Sequence, residues 1–129
     1  MQVVCAVITN SEGKIFAARR AEGKSFEGYW EFPGGKVEEG EEADQALARE
    51  LEEELGLSLM IGASIHKLAW ENKSGAFELE AFHISDELAG LKLQDHDKYD
   101  WFSIEELLGI ELMVADIALL SHIEKFLGA

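Results

Sequence analysis

The chain has 129 residues, 47% hydrophobic and 29% charged, which is enough apolar material for one domain whose core needs no disulfide. Its single cysteine, Cys5, excludes an internal disulfide framework. The net charge of −15 argues against a long nucleic acid as partner, because phosphate binding rests on Lys and Arg. The first ten residues lack a basic leader region and no apolar run reaches membrane-spanning length, so a cytoplasmic protein with no membrane partner is expected.

In chain order, Gln2 to Thr9 and Lys14 to Ala18 are β-branched-rich or apolar runs about Asn10-Ser11-Glu12-Gly13, which predicts a β-hairpin. Cys5, inside Val3-Val4-Cys5-Ala6-Val7, is expected to be a small buried hydrophobe. Arg19 to Gly28 is polar and glycine-containing, a loop. Tyr29 to Phe32 is a short strand that stops at Pro33-Gly34-Gly35. Ala43 to Leu55 has helical periodicity, with Leu47, Leu51 and Leu55 on one stripe and Gly56 as a stop.

Leu57 to Glu71 and Ala76 to Ser85 are expected as strands joined by a turn at Asn72-Lys73-Ser74-Gly75. Asp86 to Lys98 is irregular and acidic, and Tyr99 to Phe102 a short strand. Ser103-Ile104-Glu105-Glu106 has the form of a capping box, and a last helix is expected from about Asp116 to Phe126. His66, His83, His96 and His122 show no zinc spacing, and His96 is expected as a loop hydrogen-bonder. Strands on both sides of the acidic helix predict an α/β (α+β) domain, a mixed sheet with helices packed on it.

The acidic helix poses the chemical question. Residues 35–57 hold nine acids and two bases. Glu50, Glu53 and Glu54 share one face at spacings i, i+3 and i+4, while Glu52 points away to solvent. Like charges so placed cost about 0.2–0.5 kcal/mol per pair in an isolated helix, and Ala43 to Leu55 offers one base, Arg49. A solvated acidic face is the usual meaning of such a run.

The spacing argues otherwise. Gly35, five residues, Glu41, seven residues, then Arg49-Glu50-Leu51-Glu52-Glu53-Glu54-Leu55-Gly56-Leu57 resembles the Nudix box at every specified position. The flank Trp30-Glu31-Phe32-Pro33-Gly34-Gly35-Lys36-Val37-Glu38 resembles the MutT-type branch of nucleoside triphosphate pyrophosphohydrolases, and weaker similarity reaches Ala17-Ala18-Arg19-Arg20 and Ala115-Asp116-Ile117. The resemblance implies one Nudix domain over residues 1–129, an α/β/α sandwich with its box at 35–57.

It also implies a divalent metal, Mg²⁺ with Mn²⁺ as substitute, that carries the polyphosphate of a small nucleotide to an acidic protein. Gly34, through its carbonyl, with Glu50, Glu53 and Glu54 are the implied ligands. Glu50 serves as ligand or as base for a water attacking within the polyphosphate, at the β-phosphorus. Arg49 orients the acids or touches phosphate, and Glu41 supports the catalytic loop. Asp95 aligns with a loop acid of the family, as ligand or base, though a solvated loop aspartate fits equally.

Arg20, Lys36, Phe32 and Asp116 are the implied substrate contacts, with Phe26, Tyr29 and Trp30 as stacking or core aromatics. Asp116 stands where MutT enzymes carry an asparagine, and Ala-Asp-Ile resembles the CTP-type enzymes of the branch. A carboxylate accepts only, which suits an amino group such as cytosine N4. It also suits a helix N-cap. The implied function is hydrolysis of a normal or oxidised (deoxy)nucleoside triphosphate, of CTP/dCTP or 8-oxo-dGTP type, to the monophosphate and pyrophosphate, in nucleotide pool sanitation and DNA repair. The alternatives are a Nudix activity on a compound such as ADP-ribose, disfavoured because the only proline is Pro33, upstream of the box, or a non-catalytic nucleotide sensor.

Overall fold

The computed structural model describes residues 1–73 and 75–128. Its elements are β1 (Gln2–Thr9), β2 (Ile15–Arg20), β3 (Trp30–Glu31), β4 (Gly34–Lys36), α1 (Ala43–Leu55), β5 (Ser64–Asn72), β6 (Gly75–Ser85), β7 (His96–Phe102), α2 (Ile104–Leu108) and α3 (Val114–Leu127). The sheet is mixed, with strand order β3-β2-β1-β6-β5, β4 added to β1 and β7 added to β2. Only β1 and β6 run parallel among these pairings.

The two-residue period of β1 divides the core. Val4, Ala6 and Ile8 face α1, joining Ala46, Leu47, Leu51 and Leu55. Cys5 and Val7 face the other way, towards Leu107 of α2 and Leu119, Leu120 and Ile123 of α3. Helices therefore cover both faces of the sheet. Each fully buried leucine of α1 contributes about 1.5–3 kcal/mol, several times the cost of one acidic pair on the same helix. Burial wins, and the helix carries its acids as a tolerated load. Gly56 ends α1 in the left-handed region at φ 68°, with its N–H on the Glu52 carbonyl.

Several boundaries differ from expectation. β2 runs on through Arg20, because β7 begins at His96 rather than Tyr99 and pairs along its whole length. β7 begins with the run His96-Asp97-Lys98-Tyr99-Asp100, exposed beyond His96 as suits an edge strand, so no alternation marks its start. β5 begins at Ser64, not Leu57. Leu57, Leu59 and Ile61 bury against the α1 side of the core, imitating strand alternation outside the ladder.

Gly34–Lys36, expected as a stop, is strand β4, paired with Val3–Cys5. A Cβ on Gly34 would run into the Val4 carbonyl, so glycine is what lets this backbone approach β1. In the turn between β5 and β6, Asn72 faces Gly75, and Ser74 lies outside the described residues. Among the described residues no helix is long and apolar enough to cross a membrane.

Candidate active site

Everything chemical gathers where α1 passes β4. The Gly34 N–H donates to Glu54 Oε2 at 3.0 Å, fixing that carboxylate against the strand. Burial pushes the Glu54 carboxyl up to about 8, and the charges of Glu31, Glu50 and Asp95 push the same way against the Gly34 hydrogen bond. Glu50 is also raised, first by burial, with Arg49 opposing. Its carboxylate lies over Gly35, where a Cβ would overlap it. Glu53 points outward, its side chain 59% exposed. Glu52 is exposed as well.

Arg49 ties the helix to the loop before it. Its Nε and Nη2 donate to the two oxygens of Glu41 at 2.8 and 3.0 Å, Nη1 to Glu50 at 3.0 Å and to Glu53 at 3.4 Å, and Nη2 also to the Lys36 carbonyl at 3.1 Å. Glu41 consequently falls to about 2, held by the Arg49 hydrogen bonds and the Glu38 N–H. With its donors committed to protein oxygens, Arg49 is placed to orient acids. The Lys36 side chain is exposed and lines none of the cavities beside Glu54 or Asp116.

A cavity of about 230 Å³ runs from this corner to α3, lined by Gly34, Gly35 and Glu54 at one end and by Phe32, Met113 and Asp116 at the other. Asp116 is buried, and its Oδ2 accepts the Phe32 N–H at 3.0 Å. That contact is set by backbone docking: the Trp30 N–H donates to the Glu111 carbonyl and the Met113 N–H to the Trp30 carbonyl. Burial raises the Asp116 carboxyl to about 7, with Glu31 adding and the Phe32 N–H opposing. The helix starts at Val114 with Met113 as N-cap, so Asp116 is not the cap expected from sequence. One of its carboxylate oxygens is taken by Phe32, 84 positions away in the chain.

The adjoining polar cavity, about 250 Å³, is lined by Arg20, Lys24, Glu31, Glu54, Asp95 and His96. Asp95 is exposed and pairs with Lys24 at 3.4 Å. Arg20 Nη1 donates to Glu31 at 2.9 Å, so both cations here already face an acid. A third cavity, about 310 Å³ and mostly apolar, holds Phe26, Tyr29, Trp70 and Phe77, and shares Phe77, Met113 and Ala115 with the Asp116 cavity. Trp30 instead stacks edge-on against Phe102.

The NUDIX domain family profile matches residues 1–121. The chain belongs to the Nudix family. It is 40% identical over 120 residues to the CTP pyrophosphohydrolase of Escherichia coli K12, covering 93% of this chain and 88% of that one. It is 51% identical over 57 residues to the 8-oxo-dGTP diphosphatase of Haemophilus influenzae, covering 44% and 42%. The crystal structure of the MutT protein from Methanosarcina mazei Go1 superposes with a TM-score of 0.83 at 30% identity, over 98% of this chain and 91% of that one. The protein is thus a MutT-like Nudix hydrolase, an enzyme acting on phosphoric anhydrides.

Nudix hydrolases generally need divalent metal ions. The residues fit one. The donors at the corner are hard carboxylate oxygens. Glu50 and Glu54 are both raised, first by burial, so a bound cation would favour their charged forms. The last turn of α1 carries no base to offset the helix dipole, although Glu52, Glu53 and Glu54 sit there. Among the described residues, no three acidic, His or Cys side chains already close around one point. Glu50 and Glu54 turn inward and Glu53 stands at the rim.

The structure therefore brings together Gly34, Glu50, Glu54, Arg20, Phe32, Asp95 and Asp116, with Arg49 behind them. It leaves Lys36 and Glu53 exposed. Sequence reasoning passed over Glu31, which lines both the Asp116 cavity and the polar cavity beside it and acts on Glu54 and Asp116 through its charge. The available signal was an acid wedged between Trp30 and Phe32 in a short apolar strand.

Proposed function

We propose that this Nudix hydrolase converts a (deoxy)nucleoside triphosphate to the monophosphate and pyrophosphate, with a cytosine-type base as its first choice. One observation carries the reading: a single cavity joins Asp116 and Phe32 at one end to Gly34, Gly35 and Glu54 at the other. The base lies at the Asp116 end, where a carboxylate oriented by the Phe32 N–H accepts from an exocyclic amino group. The polyphosphate lies at the acidic end.

Two acids and the Gly34 carbonyl, our choice of ligands with Glu53 completing the set from the rim, hold Mg²⁺, for which Mn²⁺ substitutes. When bound, the ion offsets phosphate charge and lowers the pKa of an attacking water. The chain's own contributions are separate. Gly34 fixes Glu54, Arg49 holds Glu50 and Glu41 in register, and Glu50 or Asp95 removes the proton of the water. Arg20 and Lys24, the two cations lining the polar cavity, are already paired with acids and offer little unspent positive charge to phosphate. That supports delivery of the anion by metal.

An oxidised purine of 8-oxo-dGTP type is the second reading, favoured by the Asp116 carboxyl at about 7. Protonated, it donates to a carbonyl. Both readings fit removal of unwanted nucleotides from the pool, and the identity of one relative as a CTP pyrophosphohydrolase supports the first. The test is a pyrophosphate-release panel with Mg²⁺ covering normal, oxidised and methylated nucleotides, with ADP-ribose scored by monophosphate formation. Preference for CTP or dCTP supports the first choice. Preference for ADP-ribose contradicts both.

A further inference from the structure

His96 is the one buried side-chain polar group among the described residues with a ring nitrogen, Nδ1, that meets no partner. Its imidazole is 2% exposed, on the first residue of β7, opposite a bulge in β2 between Arg19 and Arg20. Bulges re-aim side chains, and here Arg20 and His96 converge on the same atom. Glu31 Oε2 accepts from Arg20 Nη1 at 2.9 Å and lies 2.8 Å from His96 Nε2.

An ionised carboxylate has no proton to give, so Nε2 carries the hydrogen between them, and Nδ1 is the buried ring nitrogen left without a partner. A histidine placed only to fill the core would be better replaced by an apolar side chain. The unpaired Nδ1 is tolerated for what Nε2 does. Two donors on Oε2 hold Glu31 still, and its other oxygen has no protein partner among the described residues. Glu31 lines both the cavity reaching Asp116 and the cavity reaching Asp95, and its charge acts on Asp116 and on Glu54 alike.

We propose that His96 is a positioning residue for the nucleotide sugar: with Arg20 it pins one oxygen of Glu31, so that the other accepts a ribose hydroxyl between base and polyphosphate. This rests on the nucleotide reading above and names what lies in the middle of that site. A carboxylate there suits hydroxyl donors and has nothing to offer a phosphate.

The test compares CTP with 2′,3′-dideoxy-CTP in His96→Asn and His96→Gln. A glutamine amide nitrogen reaches about as far as Nε2, whereas that of asparagine stops near Nδ1. In the unaltered enzyme KM for the dideoxy nucleotide should exceed that for CTP roughly tenfold, the scale of one hydrogen bond to a charged group. His96→Asn should raise KM for CTP by about the same factor, leaving kcat and the dideoxy KM within roughly twofold, and His96→Gln should restore CTP. An unchanged KM for CTP in His96→Asn, an equal rise for both nucleotides, or no rescue by glutamine overturns the proposal.

Should the variants not fold, the unaltered protein answers by NMR with CMP and 2′,3′-dideoxy-CMP. CMP should shift the His96 Nε2 proton and the Phe32 amide, and the dideoxy nucleotide the Phe32 amide alone. Equal effects of both nucleotides on His96, or none, overturn the role of His96. A Phe32 amide that neither nucleotide moves overturns the nucleotide reading beneath it.

Discussion

The Phe32 backbone N–H donates to Asp116 Oδ2 at 3.0 Å, joining the end of β3 to the first turn of α3 across 84 residues. One oxygen of Asp116 is thereby fixed, and the carboxylate is held in the wall of the cavity it shares with Glu54. The proposed base end and the proposed metal corner therefore share one frame.

Asp116→Asn should move substrate preference from cytosine-type nucleotides towards those presenting a carbonyl, such as 8-oxo-dGTP. An amide both donates and accepts, whereas the carboxylate only accepts. A bidentate base contact discriminates by about 1–3 kcal/mol, so the ratio of kcat/KM values should change roughly tenfold or more. The asparagine oxygen can still take the Phe32 N–H, so the fold should persist. An unchanged substrate ranking in a folded variant would place base reading elsewhere.

Stability without metal should fall as pH rises. Asp116 moves from 3.8 to about 7 on folding and Glu54 from 4.5 to about 8. Between those values the folded state holds a proton that the unfolded state has lost. Stability is therefore fullest below pH 4 for these two groups, and declines by at most about 1.4 kcal/mol per pH unit for each until the folded pKa is passed. Glu41, lowered to about 2, acts oppositely, its contribution fading only as pH drops below 4.5. Urea denaturation in EDTA from pH 5 to 9 checks the slope, and Mg²⁺ should restore stability at pH 8.

How much of this was legible beforehand differs by element. The acidic helix was read to its end residues, because Leu47, Leu51 and Leu55 repeat at helical spacing and Gly56 stops it. The motif then named the acids. Contacts such as Phe32 to Asp116 were not legible, since they depend on Trp30 docking beside Leu112, a pairing with no local signature. Glu31 was passed over, and the strand position and partner of His96 were not foreseen, for a related reason. Each looks like an isolated polar residue until β3 and β7 both pair with β2 and bring the two to 2.8 Å.

Gly34→Ala and Gly35→Ala should fail differently. At Gly34 the new methyl meets the Val4 backbone, which cannot swing aside, so the β1–β4 pairing loosens at a cost of about 1–3 kcal/mol. At Gly35 it meets the Glu50 carboxylate, a flexible end that can turn away. Thermal melts should show the first variant destabilised and the second near normal, with activity lost in both. A fully active Gly35→Ala would mean that the inward position of Glu50 is dispensable.

Glu54→Gln removes a charge from the proposed metal corner and should reduce kcat on the order of 10²-fold or more. Its stability at pH 8 should rise or hold, because an amide still accepts from Gly34 without the cost of a buried charge. Glu52→Gln, exposed on the same helix, should be close to silent. Equal losses at the two positions would mean that the wrong face of α1 has been assigned.

If a metal-loaded acidic corner cleaves a nucleotide polyphosphate lying between Glu54 and Asp116, phosphorus NMR of CTP should show it, run once with Mg²⁺ and once with excess EDTA. CMP and pyrophosphate should form with Mg²⁺, and CTP should stay intact with EDTA. Products of CDP and orthophosphate, or full turnover in EDTA, would overturn this reading.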